Sequence, residues 1–166
     1  MKSPIFFLLL TMIFFNCNDS KTNAVAEQTS TAKADMEAIS FDSLRAQKLG
    51  ADQYGMKSYV FAFLKKGPNR DRSKEDADRL QRAHLDNIKR LANEGKLVLA
   101  GPFIDDGEIR GIYIFDVRSV KEAEELTKTD PAIQEGSLEM ELKPWYGSAA
   151  LMEVNQIHST LAKVKI

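Results

Sequence analysis

A single cysteine in 166 residues excludes an intramolecular disulfide framework and an all-cysteine metal site. Only two histidines are present, His84 and His158, and no histidine pair at helical offset accompanies them, so no metal site is expected. Charge of neither sign dominates. With 23 basic against 24 acidic side chains the net charge is −1, which leaves no surplus to neutralise a run of nucleic-acid phosphates, and no nucleic-acid partner is expected. Nine glycines and five prolines exclude a collagen-like chain. No apolar run approaches the ~20 residues that span a bilayer. What remains, 43% hydrophobic and 28% charged residues, fits one compact domain with extensions.

The longest apolar run, about eleven residues from Ile5 to Phe15, follows Lys2 and has the length of a signal-peptide core. The lone Cys17 stands directly after it, followed by the polar stretch from Asn18 to Thr22, which is the arrangement of a bacterial lipoprotein signal cleaved before a lipidated cysteine. Asn16 occupies the position where such signals usually carry Gly, Ala or Ser, and an ordinary signal that happens to end at Cys17 is the alternative. The expectation is therefore a signal over residues 1–16, lipidation at Cys17, a cell-envelope location and a membrane anchor through lipid. Residues 17–40, rich in Ala, Thr, Ser, Asn, Lys and Glu, have little to bury and read as a flexible tether.

Phe41, Leu44 and Leu49 before Gly50 describe a short helical lead-in over 41–56. Beyond it, Ser58–Leu64 is aromatic and β-branched and stops at Gly67-Pro68-Asn69, which predicts a strand. Ser73 then opens a helix whose Ala77, Leu80, Ala83 or His84, Ile88 and Leu91 recur at helical spacing up to Asn93-Glu94-Gly95. Lys96–Ala100, broken at Gly101-Pro102, and Gly111–Val117 predict a hairpin across the Asp105-Asp106-Gly107 turn. Ser119 with Glu122 forms a capping-box pattern for a second helix that Asp130-Pro131 closes, and Leu138, Met140 and Leu142 alternate with charged residues in a fourth strand.

The order is βαββαβ, the ferredoxin-like plan: an α+β fold with a four-stranded antiparallel sheet and two helices on one face. Both faces of the first strand are apolar, Tyr59, Phe61 and Phe63 on one side and Val60, Ala62 and Leu64 on the other. The third strand likewise sets Tyr113 and Phe115 against Ile112 and Ile114. Two helices bury one face only, so a second subunit is the expected cover for the other and a homodimer the expected state.

The stretch from His84 to Phe103, containing Ala100-Gly101-Pro102, together with Asp105-Asp106-Gly107, Arg110-Gly111, Thr129-Asp130-Pro131-Ala132 and Lys143-Pro144-Trp145-Tyr146-Gly147, resembles the YciI-like (YCII-related) family over residues 57–147. That resemblance implies a dimeric α+β barrel and an active site made of a histidine–aspartate pair with no metal or organic cofactor. By motif the pair carries over to His84 and Asp130. The family is similar to small-molecule lyases, isomerases and a dehydrochlorinase acting on hydroxylated rings. The signal, the tether and the tail over 148–166 fall outside the resemblance.

Read from the residues alone, His84 projects from the middle of the apolar stripe of its helix, where it is either a satisfied core residue or a general base held by a carboxylate. Asp130 is either a helix stop accepting backbone N–H groups or the carboxylate that orients His84. Lys65, Arg110 and Trp145 are candidate substrate-binding residues, set against a solvated turn for Lys65 and its neighbours Lys66 and Arg70, and against packing on a partner for Trp145. The expected function is cofactor-free proton transfer or elimination on a small cyclic or hydroxylated molecule. A non-catalytic ligand-binding or dimerisation module at the cell envelope is the alternative.

Overall fold

The computed structural model describes residues 40–164. The expected signal, Cys17 and all but the end of the tether lie outside these residues. Asp42 caps α1 (Ser43–Leu49) by accepting the Arg45 N–H, and Gly50 ends it at φ 70°, a left-handed conformation that glycine adopts without a Cβ clash. After α1 come β1 (Met56–Lys66), α2 (Lys74–Asn93), β2 (Leu97–Pro102), β3 (Ile109–Phe115), α3 (Val120–Thr127), the four-residue helix α4 (Pro131–Gln134) and β4 (Leu138–Ser148). A 3₁₀ turn (Ala149–Glu153) and α5 (Val154–Leu161) complete the chain order.

The strands form one antiparallel sheet in the order β2-β3-β1-β4, so β3 and β4 flank β1 and split the two βαβ units, as the α+β ferredoxin-like reading requires. Both helix starts behave as their sequences indicate. Ser73 accepts from the Asp76 N–H, and Ser119 accepts from the Glu122 N–H. The capping box at Ser119 differs in one respect: Glu122 accepts the Arg118 N–H, one residue before the cap, at 3.1 Å.

Two strands run further than their sequences suggest. β2 continues through Gly101-Pro102, and β4 continues through Pro144 and Trp145 to Ser148, so Trp145 is a strand residue. Both are edge strands, where a proline ring costs no ladder hydrogen bond if its nitrogen faces outward.

The face under the helices carries Val60, Ala62 and Leu64 of β1 with Tyr113 and Phe115 of β3, packed on Ile88, Leu91, Ala123 and Leu126. The opposite face carries Tyr59, Val98 and Ile114, and the chain itself covers this part with Leu151 and Met152 of the 3₁₀ turn. Residues 149–155 thus pack against the sheet. Ala149 is buried, its N–H donates to Gly55 O at 2.9 Å, and Asn155 Nδ2 donates to Leu97 O at 2.8 Å. An ion pair between Arg45 and Glu153 joins α1 to the same element. Phe61, Phe63 and Trp145 continue the face beyond this cover, with Phe61 4.9 Å from Phe63 and 5.8 Å from Trp145 between ring centres.

Two tyrosines are set into these layers. Burial first, and the Asp116 charge second, push the Tyr59 phenol up to about 12, and its hydroxyl donates to Ser148 O at 3.0 Å. Burial, then the Asp130 charge, also drive Tyr113 upward. A phenol whose folded pKa is raised contributes stability that is fully present below the unfolded value of about 10 and is lost as pH rises through the folded value. Alkaline titration is therefore expected to show Tyr59 and Tyr113 ionising only together with loss of the circular dichroism signal. Phenolate formation by both in a still-folded domain would contradict this.

Candidate active site

His84 lies at the centre of α2, on the stripe it shares with buried Leu80, Asn87 and Leu91, which points it inward. Asp130 comes from the turn between α3 and α4, where Pro131 fixes the first helical residue and the aspartate caps α4. The carboxylate has no solvent exposure, and His84 only 8%. His84 Nδ1 is 2.8 Å from Asp130 Oδ2 and 3.0 Å from Oδ1, and Oδ1 also accepts the Ala132 N–H at 2.9 Å. The structure thus joins two residues 46 positions apart, and Asp130 serves both as helix cap and as partner of the imidazole.

The third member is Tyr113, whose hydroxyl stands 3.3 Å from His84 Nε2 with the two rings stacked at 6.2 Å between centres. In the tautomer where Nδ1 carries the proton and donates to the carboxylate, Nε2 holds the lone pair and accepts from the Tyr113 hydroxyl. Tyr113 was legible in the sequence only as an apolar strand residue. Nothing in its spacing relates it to His84, because the contact is made across the gap between a helix and the sheet beneath it.

The backbone near the pair is held tightly. Gly67 has no room for a side chain, since a Cβ there would lie 2.2 Å from the Gly136 carbonyl oxygen, just beyond α4. Asn69 N and Arg70 Nη1 then donate to Gly136 O and Ser137 O at 2.9 and 3.0 Å.

The three candidate substrate-binding residues are not assembled around the pair. Lys65 is bound to Glu141 at 3.3 Å. Arg110 donates to the carbonyl of Asp105 at 2.6 Å and stiffens its own hairpin turn. Trp145 packs on Tyr59 and Phe61, on the sheet face turned away from the helices. Strand alternation sends Trp145 to the opposite side of the sheet from Tyr113. His158, on α5, is exposed. A separate cleft of about 550 Å³ is lined by Lys57, Lys96, Asp116, Arg118 and Glu122, with Lys57 bonded to Asp116 and Lys96 to Glu122, each at 2.9 Å. None of the triad lines it. Among the described residues no three metal-ligating side chains cluster.

The model of the YCII-related domain matches residues 60–146, just over half of the chain. The chain belongs to the YCII-related domain family. The match begins within β1 and ends within β4, so it takes in His84, Tyr113 and Asp130 and leaves out α1, the 3₁₀ turn and α5. A relative is the uncharacterized protein YjpA of Bacillus subtilis (strain 168), 36% identical over 62 residues, which are 37% of this chain and 71% of that protein. Among solved structures the chain is similar to 5-chloro-2-hydroxyhydroquinone dehydrochlorinase of Burkholderia phenoliruptrix AC1100, in complex with 2,5-dihydroxybenzoquinone. That likeness has 20% identity and a TM-score of 0.40, covering 52% of this chain and 92% of that one.

Proposed function

We propose that this YCII-related domain is a cofactor-free enzyme that moves a proton on a small cyclic or hydroxylated molecule, with His84 as the base and Asp130 as the group that orients it. The observation that supports this reading is the buried Asp130 carboxylate on Nδ1, which fixes the tautomer that leaves Nε2 basic. A substrate C–H or O–H presented at Nε2 would take the place of the Tyr113 hydroxyl. The proton would pass to Nε2, and the resulting imidazolium would be stabilised by the carboxylate already in contact with it. Elimination would follow where the deprotonated molecule carries a leaving group. Proton exchange from solvent into candidate compounds tests this directly, comparing the wild type with His84→Ala.

A second reading, a ligand-binding or assembly module in which the triad is a core polar network, is favoured by one observation. All three residues are at least nine-tenths buried and each finds its partner within the triad. A folded His84→Ala variant with undiminished exchange would select it.

The reading extends to location and assembly. The protein is exported, carries lipid on Cys17 at the cell envelope, and pairs as a homodimer through the sheet face that holds Phe61, Phe63, Ile112 and Trp145. Val60 and Tyr113 lie under the helices and take no part in that pairing. Sedimentation at micromolar concentration is expected to give a dimer, and Phe61→Asp a folded monomer. A monomeric wild type would refute the pairing.

A further inference from the structure

α2 meets the α3–α4 turn at more than the His84 contact. One turn after His84, Asn87 is 7% exposed, and one turn further Arg90 reaches back across it. Arg90 Nη2 lies 2.8 Å from Asn87 Oδ1 and 2.7 Å from Thr129 Oγ1, so the two hydrogens of one guanidinium nitrogen bridge the helix to the residue immediately before Asp130. Thr129 Oγ1 is itself 3.1 Å from Asn87 Oδ1 and 2.7 Å from Leu126 O, which gives its single proton an acceptor on either side. Within the turn, Thr129 N donates to Leu126 O at 3.1 Å and Asp130 N to Thr127 O at 3.0 Å, so a shift of Thr129 passes through the peptide bond to Asp130.

The carboxamide of Asn87 is engaged only through its oxygen. Its Nδ2 is buried with no hydrogen-bond partner among the described residues, an arrangement that costs about 1–3 kcal/mol relative to a satisfied donor. Turning the amide over would set Nδ2 against the Arg90 donor, so the oxygen is held in place at the expense of the nitrogen.

We propose that Arg90, Asn87 and Thr129 form a clip whose role is to position Asp130 against His84. The three are positioning residues. They act through the turn that carries the carboxylate, and the proposal rests on the reading of His84 and Asp130 as the proton-transfer pair only for its consequence in catalysis. The geometry itself is testable without a substrate.

The experiment is hydrogen exchange of the His84 Nδ1 proton, followed by ¹H–¹⁵N NMR on the full-length protein purified in detergent. Arg90→Met keeps the stem and removes the fork, and because Arg90 is exposed the fold should survive. It is expected to speed exchange by about tenfold or more, the scale of one weakened charge-assisted hydrogen bond. Asn87→Leu should do the same. Asn87→Asp, which keeps the acceptor and removes the orphaned donor, should restore slow exchange. Glu94→Gln, which removes the neighbouring Arg90 ion pair at 2.8 Å but not the clip, should leave the rate unchanged. A folded Arg90→Met variant whose Nδ1 proton exchanges within about twofold of the wild type would overturn the clip. An unaltered solvent exchange into substrate by His84→Ala would overturn the catalytic reading instead, so the two failures are separate.

Discussion

His84→Ala is expected to remove between about 10²- and 10⁴-fold of the rate at which the protein exchanges a substrate proton with solvent, the range that a positioned general base supplies. The measurement is loss of proton signal from a panel of hydroxylated cyclic compounds in deuterated buffer, expressed per folded molecule. Asp130→Asn keeps an oxygen for the Ala132 N–H but presents either a donor to the Nδ1 proton or an uncharged acceptor, so the imidazole loses its fixed tautomer or its charge stabilisation. It is expected to lose less than His84→Ala. The double variant should match His84→Ala, because groups that act as one unit are not additive. Additive losses, or a folded His84→Ala variant with the wild-type rate, would show that the histidine is not the base.

The largest effect on stability is expected at Asp130. Asp130→Ala removes a completely buried carboxylate that caps α4 and holds His84, and so leaves the Ala132 N–H and the His84 Nδ1–H without acceptors. A buried donor left without an acceptor costs about 1–3 kcal/mol, and the lost helix cap adds about 1 kcal/mol. For a domain of ordinary stability, about 5–15 kcal/mol, that is a large fraction. Urea unfolding should show the midpoint falling with an unchanged slope. Asp130→Asn, which keeps volume and one acceptor, should cost clearly less. A loss under about 1 kcal/mol for Asp130→Ala would mean that water reaches and satisfies both donors in the variant.

Local chemistry makes much of the architecture legible in the sequence. Ser73 and Ser119 announce their helices because a side-chain oxygen at that position satisfies an otherwise free N–H, and the structure shows both bonds. The apolar stripe of α2 and the hairpin of β2 and β3 follow from periodicities of 3.6 and 2 that any short window of sequence contains. The two-sided apolar character of β1 was equally plain. Which side the helices would cover was not, and Val60 and Tyr113 prove to lie beneath them while Phe61 and Trp145 do not.

The edge-strand prolines and the element after Ser148 show why some boundaries stay hidden. Pro144 reads as a breaker until β4 is known to be an edge, because only sheet order tells which nitrogens need a partner. Leu151 and Met152 have no recognisable pattern until the sheet face they cover exists.

The sequence by itself therefore determined the order of the four strands and of α2 and α3, the caps at Ser73 and Ser119 and the apolar faces, since each depends on neighbours within a few positions along the chain, whereas His84 and Asp130 were marked as a pair by the family resemblance. Only the tertiary structure decided that His84 meets Asp130 from 46 residues away, that Tyr113 closes the triad at Nε2 and that Lys65, Arg110 and Trp145 stand elsewhere. Such contacts depend on how helices and strands stack, and side chains distant in sequence carry no local record of the layer that will lie against them.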